Sequence, residues 1–176
     1  MNKTRVATVW LDGCSGCHMS FLDIDERVID LAQKIDLVYS PLVDIKEFPD
    51  SVDVTLVEGA VSSEDDFKKI QKIRAHTKIL VSLGDCAVNA NVPSMRNQFT
   101  PDRVLERAYV ENASLQKQIP RDGLPRLLDK VVPVHQVVPV DLIVQGCPPS
   151  ADTIFYMLCE LLEGRIPDLS ERTRFG

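Results

Sequence analysis

Five apolar runs punctuate the chain, and between them the hydrophobic positions switch to helical spacing. The runs are "VATVWL" (Val6 to Leu11), "LVYSPLV" (Leu37 to Val43), "VDVTLVEG" (Val52 to Gly59), "TKILVSLGDC" (Thr77 to Cys86) and "VDLIVQGC" (Val140 to Cys147). Each is rich in aliphatic and β-branched residues, as strands covered on both faces of a sheet should be. Pro41 places the second run at a strand end or a sheet edge. After the first run, Phe21, Ile24, Val28, Leu31 and Ile35 fall on one helical face, which predicts a helix from about Ser20 to Gln33. Ser62 and Ser63, with Asp65 and Asp66 three residues on, predict a capping-box start for a helix carrying Phe67, Ile70 and Ile73. Pro148, Pro149 and Ser150 lead into a last helix with Ile154, Phe155, Leu158, Leu161 and Leu162 inward and Gly164 as its stop. Strands alternating with helices predict an α/β fold: one open parallel sheet with helices on both faces.

The segment from about 91 to 139 breaks this rhythm. It holds Pro93, Pro101, Pro120, Pro125, Pro133 and Pro139 and one convincing helix, "TPDRVLERAYV", capped by Thr100 with Pro101 at its first position. A long proline-rich, irregular excursion of this kind is usually functional or partner-binding. With 176 residues, 44% of them hydrophobic, the chain is expected to form a single domain over 1–176.

Charge and leader signals narrow the class. Lys and Arg total 20 against 26 Asp and Glu, a net charge of -6 with no basic block, so nucleic acid and anionic membrane are poor partners. No apolar stretch approaches the length of a membrane span, and the first residues show neither a secretory pattern nor a twin arginine. The expected location is the cytoplasm. In that reducing compartment the five cysteines are more readily ligands, catalytic groups or packing residues than disulfide halves.

The cysteines make sense at the strand ends. The first run ends "LDGC", the third "VEGA", the fourth "LGDC" and the fifth "VQGC", so each apolar run reaches a glycine and three of the four then supply cysteine. Open parallel sheets bind ligands at the carboxyl ends of their strands, which gathers Cys14, Cys17, Cys86 and Cys147 onto one edge. Glycines there let the backbone approach whatever the sulfurs hold. Four thiolates suit an iron-sulfur cluster or zinc. Structural zinc usually draws on two C-x-x-C knuckles, whereas here one pair joins two isolated cysteines, and Pro148 after Cys147 matches the Cys-Pro pair of some ferredoxin ligand sets. A zinc-stabilised module or a thiol-redox pair at Cys14 and Cys17 stays open on spacing alone. Cys159, among the leucines of "FYMLCELLEG", reads as a small buried hydrophobe. His18 reads as a surface or capping residue, His76 as a complement to a helix dipole, and Glu58, a carboxylate at an apolar strand end, as a group needing a partner.

"WLDGCSGCHMSF", "LVEGA", "LGDCAVNANVPSMRN" and "VQGCPPS" together resemble the small subunit of bidirectional, NAD(P)-linked, soluble nickel-iron hydrogenases, over most of the chain. The related cluster-bearing small subunit of respiratory NADH:quinone oxidoreductase characteristically uses adjacent cysteines at the first ligand site, where "CSGC" has two residues between. The resemblance implies a flavodoxin-like domain in which Cys14, Cys17, Cys86 and Cys147 bind the proximal 4Fe-4S cluster and no catalytic residue lies on this chain. It implies two kinds of partner: a large subunit bearing the nickel-iron site, and diaphorase subunits carrying flavin and iron-sulfur clusters. The fold also suits FMN, although cysteines occupy the loop where a flavodoxin cradles phosphate. Only Cys159 follows Cys147, so a single cluster is expected.

Overall fold

The computed structural model describes residues 3–174. The five runs form one sheet: β1 (Thr4–Trp10), β2 (Ile35–Tyr39), β3 (Val52–Glu58), β5 (Thr77–Leu83) and β7 (Leu142–Val144). They lie in the order β2-β1-β3-β5-β7, every pair parallel. Counted along this sheet alone the order is 2-1-3-4-5, the flavodoxin-like doubly wound arrangement. β2 is an edge strand and ends before Pro41, as the proline required.

Strand alternation sends side chains to two cores. Val6, Val54, Leu56, Val81, Leu83 and Val144 pack with Phe21, Ile24, Leu31, Ile154, Met157 and Leu158. These come from or flank α1 (Gly16–Leu22), α2 (Arg27–Lys34) and α6 (Ala151–Leu162). On the opposite face Val9, Leu11, Val57 and Leu80 pack with Ile70 and Ile73 of α3 (Glu64–Ala75) and with Val134 and Val138. Helices therefore cover both faces. α3 starts at the capping box: the Ser63 hydroxyl accepts from the Asp66 N–H, and the Asp66 side chain takes the Ser63 N–H. His76 ends it, with Nδ1 at 2.8 Å from the Lys72 carbonyl.

Three expectations change. The single helix predicted for 20–33 is two helices, because the chain turns through Asp23–Glu26 with Asp25 in the left-handed region at φ 60°. Ile35 opens β2 instead of continuing the helix, and Val28 lies at the surface. The apolar spacing survived because Phe21, Ile24, Leu31 and Ile35 all still face the same core. The proline-rich segment, in turn, carries more structure than its composition suggests. α4 (Asp85–Asn89) leads to a 3-10 stretch (Val92–Gln98), then to α5 (Pro101–Glu106), which runs on as a π-helical turn (Arg107–Glu111). β6 (Leu127–Val132) then pairs antiparallel with β4 (Val61–Ser63). The "MRN" triplet ties the excursion to this small sheet. The Asn97 carboxamide donates to the Val131 carbonyl (2.9 Å) and accepts from its N–H (2.7 Å), and the Arg96 guanidinium donates to the Ser62 and Leu128 carbonyls. Among the described residues, no helix is long and apolar enough to cross a membrane.

Candidate metal centre

Register puts the strand ends at one level. Trp10 of β1 lies beside Glu58 of β3, Glu58 beside Leu83 of β5, and Leu83 beside Val144 of β7. Cys14, Cys86 and Cys147 each follow within three or four residues, and Cys17 sits in the first turn of α1. All five cysteines are free thiols, and the four at the strand ends are brought together. Cys17 lies within electrostatic reach of Cys14 and Cys86, and Cys86 within reach of Cys14 and Cys147. Cys159 is elsewhere, packed against the α6 core, with burial pushing its thiol up.

Hydrogen bonds staple the loops that carry the sulfurs. The buried Asp85 carboxylate accepts the Gly146 N–H at 2.8 Å while the Asp85 N–H donates to the Gly146 carbonyl at 2.9 Å, locking the Cys86 loop to the Cys147 loop. The buried Ser20 hydroxyl of α1 donates to the Pro149 carbonyl, locking the Cys17 helix to the same loop. Asp12 and Ala60 exchange backbone bonds, at 3.0 and 2.7 Å, fixing the Cys14 loop to the end of β3. Replacing Asp85 by Ala leaves the buried Gly146 N–H without this acceptor. We expect a loss of about 1–3 kcal/mol of stability, with a smaller loss for Asp85→Asn, read by thermal melting.

Glu58 and His18 form a buried pair that sequence spacing could not show, since forty positions separate them. Glu58 is 2% exposed and His18 6%. His18 Nδ1 stands 2.9 Å from Glu58 Oε1, and the His18 backbone N–H donates to Oε2 at 3.0 Å. His18 is thus a buried anchor of α1, contrary to the surface role its position suggested. Its backbone N–H is one of the donors that a helix start leaves unpaired, and a strand-end carboxylate takes it. Glu58 also lies within electrostatic reach of the Cys17 thiol.

The clustered thiols are strongly perturbed. Burial, first, and then the neighbouring Glu58 carboxylate raise the Cys17 thiol far above its usual range, with Cys86 and Cys14 adding to the effect. Burial and the neighbouring Cys14, Cys147 and Glu58 push Cys86 up to about 11, against a lowering bond from the Val92 N–H. With their titration raised in this way the thiols stay protonated on their own, whereas a bound metal would deprotonate them outright and offset the charge of the crowded thiolates. The backbone is shaped to the same end. Gly84 has φ 81°, and a Cβ there would collide with Cys17 Sγ; one on Gly16 would lie 3.3 Å from Cys14 Sγ. Donor chemistry and this cradle fit a thiolate-held metal group. Among the described residues, no three His, Cys, Asp or Glu side chains close on a single-ion position.

An α/β domain with a thiol set at its strand ends is the class defined so far, and similarity gives the family. The family model described as NADH ubiquinone oxidoreductase, 20 Kd subunit, matches residues 14–161. The chain is 43% identical over 172 residues to the NAD-reducing hydrogenase HoxS subunit delta of Cupriavidus necator, covering 95% of this chain and 82% of that one. It is 35% identical over 175 residues to a subunit of the F420-non-reducing hydrogenase of Methanothermobacter thermautotrophicus, covering 96% of this chain but 56% of that longer protein. The crystal structure of an NAD+-reducing nickel-iron hydrogenase in the H2-reduced state contains a chain that superposes with a TM-score of 0.96 at 38% identity, over 99% of this chain and 100% of that one. A Dm. baculatum nickel-iron-selenium hydrogenase chain, at 17% identity and a TM-score of 0.59, shares the fold. The chain belongs to the family of the NADH ubiquinone oxidoreductase 20 kDa subunit, and the relatives named here are hydrogenase subunits.

Proposed function

We propose that this chain is the electron-transfer small subunit of a cytoplasmic, heteromeric nickel-iron hydrogenase linked to NAD(P). In this reading Cys14, Cys17, Cys86 and Cys147 hold one 4Fe-4S cluster, the proximal one. The chain serves as relay between a large subunit that splits hydrogen and a diaphorase that reduces NAD(P). The observation that carries the reading is the convergence of four free thiols at one sheet edge, around glycines whose missing Cβ atoms leave room for the sulfurs. Likeness to the HoxS delta subunit and to the NAD+-reducing hydrogenase chain supports the assignment. A bound cluster would supply a site that accepts and returns single electrons, with a potential governed by burial and hydrogen bonds to its sulfurs.

The chain's own residues do the rest. The Asp85 and Ser20 staples hold the ligand loops at fixed spacing, so that uptake or loss of an electron meets little rearrangement. The Glu58–His18 pair anchors the helix that carries Cys17. Trp10 at the end of β1, Met19 and Leu22 of α1, and Val92, Met95 and Phe99 of the stretch after α4 are all exposed apolar side chains, each at least 42% accessible. Such a surface marks an interface with a partner. Cysteines fill the loop where a flavodoxin holds phosphate, so the residues there give no support to FMN.

The test is anaerobic purification of this chain with its large subunit. We expect about four iron and four sulfide per chain beyond the partner's own metals, broad visible absorption, and hydrogen-dependent dye reduction that survives removal of the diaphorase while NAD(P) reduction is lost. One zinc and no colour would instead establish a zinc-stabilised module. NAD(P) reduction without the diaphorase would also overturn the relay.

A further inference from the structure

Cys147 receives a second influence, from the loop that carries Cys86. Asn91 follows α4 directly, and its Nδ2 stands 3.6 Å from Cys147 Sγ, a hydrogen bond across fifty-six positions of sequence. The residue is held in place from both sides. Ala90 ends α4 in the left-handed region at φ 65°. The Asn91 N–H donates to Asn89 Oδ1 at 2.9 Å, and the Asn91 carbonyl accepts from the Ser94 N–H at 3.1 Å and the Ser94 hydroxyl at 2.8 Å. With its backbone fixed by these three bonds, Asn91 has its carboxamide aimed out of the excursion at the sulfur of the neighbouring loop.

The chemistry of that contact has a sign. A carboxamide N–H carries positive partial charge to a thiolate sulfur, whose negative charge grows when the group it holds takes up an electron. A donor to that sulfur therefore stabilises the reduced form more than the oxidised one and raises the potential. Cys147 is exposed, as Cys14 is, where Cys86 is buried, and an exposed sulfur would otherwise take its donors from water that a docked partner displaces.

We infer that Asn91 is a positioning residue for the metal centre: through its hydrogen bond to the Cys147 sulfur it sets the reduction potential of the cluster above the value the four thiolates alone would give. The inference rests on the iron-sulfur reading above. It adds that potential is set across two loops, the Cys86 loop supplying a ligand and also the donor to the ligand of its neighbour.

The experiment is an EPR-monitored redox titration of the intact complex, with iron counted in the same samples. In Asn91→Ala the iron content is expected to stay at the wild-type level while the midpoint falls, by a severalfold to tenfold change in the reduction equilibrium, or up to about 59 mV for one electron. Pulsed EPR after exchange into deuterated water should show one fewer coupled deuteron near the cluster. Asn89→Ala, which frees the Asn91 backbone, should give a smaller fall in the same direction, and it decides the matter if Asn91→Ala does not assemble. Full iron with an unchanged midpoint and an unchanged deuteron signal overturns the inference and leaves the relay reading standing. A wild-type complex whose chain holds zinc, with no cluster signal to titrate, overturns both.

Discussion

Replacing any one of Cys14, Cys17, Cys86 or Cys147 by Ala is expected to cost the complex its cluster signal, whereas Cys159→Ala keeps it. The first four stand on loops stapled to one another, and their thiolates would repel one another without a cation between them. A 4Fe-4S cluster takes four protein thiolates, so removal of one leaves an iron open to solvent and the remaining three sulfurs holding an incomplete group. The effect should be near-complete loss of hydrogen-dependent electron delivery to the diaphorase, with iron content lowered in all four variants. Cys159 shares the chemistry and lacks the place: it packs partly buried against the leucines and aromatics of α6. Truncating it to Ala removes a small apolar group, at a cost on the order of 1 kcal/mol, visible in a melting curve and invisible in EPR. If Cys159→Ala loses the cluster and Cys86→Ala retains it, the four-thiol site is wrong.

Much of this site was legible because the features that build it are local. Four of the five strands of the parallel sheet announce themselves as apolar runs that reach a glycine, and the parallel topology then does the gathering. "LDGC", "LGDC" and "VQGC" each reach the same edge once the runs lie side by side. Ser63 and Asp66 could be read as a capping box because both partners lie within one turn. Features with distant partners could not be read. His18 meets Glu58 and Asn91 meets Cys147 only after the sheet has formed, and nothing in the residues flanking either member names the other. β4 is three residues long, and its partner β6 has the charged Asp129 and Lys130 in its middle, so neither shows the alternation of a half-buried strand. The boundary between α1 and α2 was hidden for the opposite reason. The apolar spacing runs smoothly through a turn at Asp25 because both helices lean on one core. Periodicity reported the face correctly and the continuity wrongly.

Gly84→Ala is expected to strip the chain of its cluster with all four thiols still present. At φ 81° and ψ 161° the residue occupies a region that side chains other than glycine hardly visit, which alone costs on the order of 1–3 kcal/mol. The larger consequence is local. A methyl at this position overlaps Cys17 Sγ, well inside contact distance, and falls 3.4 Å from the Gly146 carbonyl. The sulfur cannot stay where it is. It cannot retreat freely either, because α1 is pinned behind it by the Glu58–His18 pair and the Ser20 bond to Pro149. Gly164→Ala separates the two effects, since Gly164 has a comparable φ of 73° and no atom within 4 Å of its added Cβ; it should lower the melting temperature and leave iron content unchanged. Iron quantification and thermal melts of both variants give the comparison. Gly84→Ala should lose iron out of proportion to its loss of stability, and Gly164→Ala should lose stability alone. A Gly84→Ala complex carrying the full complement of iron would mean that the sulfurs do not use the space this glycine leaves, and the cradle would have to be sought elsewhere along the strand ends.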